Sequence, residues 1–264
     1  MVVACAVGCR REGAQPQPAA PDASPGAPSA IKPPPAPLLE DVVETTPTYV
    51  IGISYPPSAA KYPGLAAELK RYAQAARADL LQAVQARPAG SDAALYDLSI
   101  SFTELLDTPA LVAVAGDGSS YTGGAHGAPL IARFVWLPQQ GKLLTATDLV
   151  PQARSWDAIS ANVREQLHTA LSQRVDADAL APAERAEVVK NAGQMIDEGT
   201  QPDPKNFAMF EPVVTAAGKL RALRFVFAPY QVGPYSDGTQ TVEVPAAVLL
   251  PHVAPAYRGL FEAG

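Results

Sequence analysis

The stretch Tyr121-Thr122-Gly123-Gly124-Ala125-His126 decides how this sequence is read. An aromatic, a hydroxyl, two adjacent glycines and an imidazole stand together between two strand-like segments. Paired glycines admit positive-φ backbone, which costs a residue carrying a Cβ roughly 1–2 kcal/mol. The stretch therefore reads as a shaped loop that presents Tyr121 and His126.

Upstream of it, Leu95 to Glu104 alternates cleanly. Tyr96, Leu98, Ile100 and Phe102 fall on one face, and Asp97, Ser99, Ser101 and Thr103 on the other. That is the pattern of a half-buried antiparallel strand. Leu111 to Ala115 follows the turn Asp107-Thr108-Pro109 and completes a hairpin, with Gly116 to Ser120 leading into the loop. Thr48 to Tyr55, rich in β-branched and aromatic residues, is a further strand. Between them, Leu65, Leu69, Tyr72, Ala76, Leu80 and Val84 recur at three- and four-residue steps, which predicts an amphipathic helix from Gly64 to Ala86.

Downstream of the loop, Leu130 to Leu137 is the next strand, and Pro138 to Lys142 turns into Leu143-Leu144. Trp156 to Gln173 reads as a second helix capped by Ser155, and Pro182 to Asp197 as a third, opened by proline. Asp203 to Ala216, Leu220 to Pro229 and Thr239 to Val244 read as strands, and Ala246 to Leu250 as a closing helical turn. This order is α+β: antiparallel sheets with packed helices, arranged as two related strand–helix–strand halves, 41–108 and 109–258.

The N-terminal end has another character. Residues 1–9, Met1 to Cys9, read as the end of a signal peptide whose Val7-Gly8-Cys9 resembles a bacterial lipobox, with Cys9 as the lipidated residue. The run is short and lacks a basic n-region, so the true translation start is expected to lie further upstream. Arg10, rather than Asp, follows Cys9, which is compatible with outer-membrane sorting. Residues 10–40 are rich in Pro and Ala and read as an extended spacer. No other run approaches the length of a membrane span, so a membrane is expected to be met only through the lipid.

Composition narrows the function. With 264 residues, 48% hydrophobic and 17% charged, the chain can build a proper core. A net charge of −6 with scattered cations speaks against a nucleic-acid partner. Cys5 and Cys9 are the only cysteines, and no metal ligands lie near them at useful spacing, so neither a disulfide framework nor a metal site is expected, and no cofactor is.

For chemistry, the candidates are few. His126, His168 and His252 form no paired-ligand motif, and no nucleophile elbow occurs. Glu104, Asp107 and Asp117 are conceivable as a glycan-cleaving carboxylate pair, but Asp107 and Asp117 read better as solvated turn residues. Trp136 and Trp156 read as core. Tyr230 and Tyr235, each after a proline, offer a rigid Tyr-bearing surface of the kind favoured at interfaces. The expected recognition residues are Tyr121, Gly123, Gly124, His126, Tyr230 and Tyr235.

Three motifs together resemble a known family: the 121–126 loop, Gly141 to Leu149, and Phe225 to Gly238 followed by Val242-Glu243-Val244-Pro245. The resemblance is to the RsiV-type extracytoplasmic C-terminal domain (domain of unknown function 3298), found also beside some peptidoglycan deacetylases. The half before it is similar to the usual upstream partner (domain of unknown function 4163). The resemblance implies an α+β module without catalysis of its own that binds a lysozyme-type protein or a peptidoglycan-related ligand. An anti-sigma role is not expected, since no sigma-binding region or transmembrane helix is apparent. The expected protein is thus a periplasmic lipoprotein, anchored to the outer membrane, that serves as a binding module. The alternatives are a cell-wall hydrolase or deacetylase-associated enzyme using His126, and a structural envelope lipoprotein.

Overall fold

The computed structural model describes residues 39–87, 94–178 and 180–262. Cys9, the signal-like residues 1–9 and nearly all of the 10–40 spacer lie outside them.

The chain first builds a six-stranded sheet in sequential order: β1 (Val42–Thr45), β2 (Tyr49–Ser54), β3 (Tyr96–Asp107), β4 (Val112–Tyr121), β5 (Ala128–Leu137) and β6 (Lys142–Leu143). Every pair is antiparallel except β2–β3, which α1 (Pro63–Ala86) connects. A parallel pair cannot be closed by a tight turn, so it needs such a crossover. The periodic residues of α1 do what their spacing predicts. Leu65, Leu69, Ala73 and Leu80 are buried against Ile51, Ile53, Leu98, Ile100, Phe102 and Trp136. Each large aliphatic side chain so covered contributes about 1.5–3 kcal/mol.

After α2 (Ala146–Leu149) come two long helices, α3 (Trp156–Ala177) and α4 (Pro182–Gly199). A three-stranded antiparallel sheet follows: β7 (Phe210–Val214), β8 (Leu220–Phe227) and β9 (Gln240–Pro245), then α5 (Ala246–Leu249) and α6 (Pro255–Arg258). Trp156, Phe207, Phe225 and Phe227 fill the second core, with Trp156 stacked on Phe207 at 5.2 Å and its indole N–H donating to the Val150 carbonyl. Leu111, Val135 and Leu137 extend that core into the β4–β5 end of the first sheet. Both tryptophans are core residues, as their sequence context suggests.

The α+β class stands, with packed helices on antiparallel sheets, but several details differ from the sequence reading. Of the two strand–helix–strand halves expected, the described residues contain one such unit, β2–α1–β3; the strands of the second sheet follow one another after α3 and α4. The 108/109 division falls at the β3–β4 turn, inside the first sheet. Strand β4 runs on to Tyr121 instead of stopping at Ala115, because Gly116 to Ser120 are paired on both sides, to β3 and to β5. Gly118 fits there because a Cβ would stand 1.9 Å from the Ser99 carbonyl oxygen, so poor strand propensity is overridden by close backbone approach. Asp203 caps a single 3-10 turn at Pro204–Phe207, which splits the strand expected over 203–216. Ser155 is buried and makes no side-chain cap to α3. Among the described residues, no helix is long and apolar enough to cross a membrane.

Candidate functional site: an exposed aromatic cluster

The glycine-bearing loop links β4 to β5. Gly123 and Gly124 have φ of 101° and 109°, the region in which a Cβ is disfavoured. The Tyr121 hydroxyl donates to the Gly124 carbonyl at 3.1 Å and braces the turn. His126 Nδ1 lies 3.1 Å from the Gly127 carbonyl, and Nε2 lies 3.0 Å from the Tyr230 hydroxyl. A carbonyl can only accept, so Nδ1 carries a proton and donates to Gly127, and Nε2 shares a hydrogen bond with the Tyr230 hydroxyl.

The partners come from a second loop, 104 residues away in sequence, between β8 and β9. Tyr235 stacks on the His126 ring with centroids 3.9 Å apart and planes 16° from parallel, and its hydroxyl reaches the Gly127 carbonyl at 3.4 Å. Tyr230 and Tyr235 are 5.6 Å apart. Tyr230 has φ of 72°, the only positive φ at a non-glycine among the described residues, and it is 55% exposed. An exposed aromatic in that conformation must be imposed by its surroundings. The turn is tied down by Tyr230 N–H to Gly233 and Gln231 N–H to Ala228. The Gln231 amide also donates to the carbonyls of Gly199 at 3.2 Å and Asn206 at 2.9 Å.

All six expected residues therefore belong to one region, with a division of labour. Tyr121, Gly123 and Gly124 shape the first loop, while His126, Tyr230 and Tyr235 form a contiguous ring cluster that faces solvent. Gln231 was missed by sequence reasoning, because a glutamine in a proline-flanked loop gives no sign of the distant carbonyls it meets. The cluster holds no carboxylate bonded to His126. His168 pairs instead with Asp197 at 3.0 Å on α3 and α4. Among the described residues, no three or more His, Cys, Asp or Glu converge as a metal site would require.

Of the three carboxylates considered for glycan cleavage, Glu104 is exposed on β3, and the other two are engaged in ion pairs. Asp107 accepts from Lys61 and from the Tyr62 hydroxyl, both at 2.7 Å. The Lys61 bond first, and then the Tyr62 bond, hold its carboxyl below the usual range. A general acid needs the opposite shift. Asp117 does not flank a turn; it lies within β4 and pairs with Arg133 at 2.8 Å.

Arg133 opens a second connection between the sheets. Its Nε also meets Glu211 at 2.7 Å, and Glu211 meets Arg224, which meets Glu243 at 2.6 Å. One charged residue from each of β4, β5, β7, β8 and β9 thus forms a chain of alternating sign.

Fold and site together define a two-sheet α+β module whose solvent-facing aromatic cluster is assembled from two distant loops. Residues 147–247 match the DUF3298 family, described as a protein of unknown function, so the chain carries a DUF3298 domain there. That span includes Tyr230 and Tyr235; it leaves out the 121–126 loop and the upstream half. A solved DUF3298 family protein from Pseudomonas aeruginosa PAO1 superposes with a TM-score of 0.51 at 18% identity, covering 87% of this chain and 99% of its own. A second, from Bacteroides fragilis NCTC 9343, gives 0.51 at 16% identity, covering 84% and 94%. At such identity the likeness shows a shared fold. Among curated proteins, none matches this sequence.

Proposed function

We propose that this protein is an envelope lipoprotein whose α+β module binds a lysozyme-type protein, or a peptidoglycan-related ligand, without catalysing a reaction. Cys9 is the proposed point of lipidation, and the periplasmic face of the outer membrane its destination. The observation that carries the reading is the solvent-facing cluster of His126, Tyr230 and Tyr235, with Tyr230 held at φ of 72°. Rigid, exposed tyrosines are the side chains that dominate protein recognition, and strained backbone concentrates where function demands it. The RsiV-type resemblance supplies the ligand class, and the acidic chain suits a basic partner.

Calorimetric titration with lysozymes of several classes, and with purified peptidoglycan, tests the proposal. Saturable heat with at least one of them is expected. Absence of binding to all would sink it. Labelling with a lipid precursor, compared between the native chain and Cys9→Ala, tests the anchor: incorporation should be lost in the variant.

A further inference from the structure

Two cavities of about 590 and 440 Å³ share Arg174, Ala192, Ser236 and Asp237, and so run into one another along α3, α4 and the loop before β9. Each falls within the roughly 300–1,000 Å³ usual for ligand sites. The floor is apolar and covered: Leu171, Ile196 and Val232 are buried. The walls of the larger cavity carry Leu180, Val188 and Met195, each half-buried.

The rim has one sign of charge. Among the described residues, Arg174 is the only cation lining either cavity, and it is neutralised by Asp237 at 2.5 Å. On α4, Arg185 is engaged by Asp176. Asp178, Glu184 and Glu187 line the larger cavity, are exposed, and have no ion pair among the described residues. An apolar floor alone would accept any greasy segment. Three carboxylates without a cation exclude an acidic one and favour a basic one.

We infer that this groove docks a basic, leucine-bearing amphipathic segment of a partner protein, its apolar side chains on the Leu171–Ile196–Val232 floor and its cations beside Asp178, Glu184 and Glu187. Groove binding of amphipathic segments works through such a division. Pro234, Ser236 and Asp237 line the groove, and Tyr235 of the aromatic cluster stands between them in sequence, but none of His126, Tyr230 and Tyr235 lines it. It is a separate contact surface from that cluster, and either can fail alone.

The test is fluorescence anisotropy with a labelled amphipathic peptide made only of leucine and lysine, beside its leucine–glutamate counterpart. The lysine peptide should bind and the glutamate peptide should not. The double variant Glu184→Lys/Glu187→Lys should weaken binding at least about tenfold, and Val188→Asp should weaken it by a similar factor. Glu165→Lys, an exposed reversal on α3 outside the groove, should leave affinity within about twofold. Circular dichroism melting of each variant checks folding, and Val188→Ala serves if Val188→Asp unfolds. No binding of the lysine peptide, an unchanged affinity in the double variant, or an equal loss in Glu165→Lys would each overturn the inference.

Discussion

Besides their shared apolar core, the two sheets are joined among the described residues by an ionic and an aromatic bridge, which differ in chemistry and in cover. Arg133 on β5 meets Glu211 on β7 with side chains only 8% and 12% exposed. His126, from the loop before β5, meets Tyr230 and Tyr235 from the loop after β8 at the surface, with His126 and Tyr230 exposed and Tyr235 half-buried. The ionic bridge leaves no fully buried side-chain donor or acceptor without a partner among the described residues, and it has little surface left to offer. The aromatic bridge leaves Tyr230 more than half exposed, at a positive φ that the hydrogen bonds of its turn impose. Cover separates a joint that holds the fold from a joint that remains available to a ligand.

The comparison breaks most visibly at Glu211. Removing it leaves Arg133 with Asp117 alone and Arg224 with Glu243 alone. Arg133, 8% exposed, then keeps only the exposed carboxylate of Asp117 and loses its covered partner, so Glu211→Ala should lose about 1–3 kcal/mol in urea unfolding. A loss under about 0.5 kcal/mol would make the ionic bridge incidental. Next comes Gln231, which is bonded to the carbonyls of Gly199 and Asn206. Gln231→Ala should cost about 1–2 kcal/mol and speed exchange of the Tyr230 amide, whose bond to Gly233 closes the turn. Tyr230→Gly sharpens the contrast by changing sign. It relieves the positive φ and should leave stability unchanged or raise it by up to about 1 kcal/mol, while removing the ring from the cluster.

The smallest effect lies at Asp107, outside both bridges. Its folded-state carboxyl is held below the ordinary 3.8 by Lys61 and then Tyr62. A depressed carboxyl stabilises the fold above 3.8, and that contribution is lost as pH falls through the folded-state value. Carboxyl NMR titration should show Asp107 returning upward in Lys61→Ala.

Much of the scaffold was legible because burial and period agree: Leu98, Ile100 and Phe102 alternate and are covered, and the α1 leucines recur at helical steps and meet the sheet. What escaped was decided by tertiary pairing. Strand β1 is a four-residue edge in which Val43, beside Val42, is 83% exposed, so its apolar residues show no alternation to mark a strand. The tail of β4 is made of glycine, aspartate and serine, which only their neighbours hold extended. The aromatic cluster was legible residue by residue, since paired glycines and proline-flanked tyrosines mark special loops. That the two loops meet was not, because no local pattern reports a contact across 104 residues. The Arg133–Glu211 pair was hidden for the same reason.

Calorimetric titration of a lysozyme into the native protein and into Tyr230→Ala tests the central claim most directly. The account predicts saturable binding to the native chain and at least a tenfold loss in the variant, with the melting temperature shifted by no more than a few degrees. Equal affinity for both proteins, or a variant that binds weakly only because it has unfolded, would contradict it.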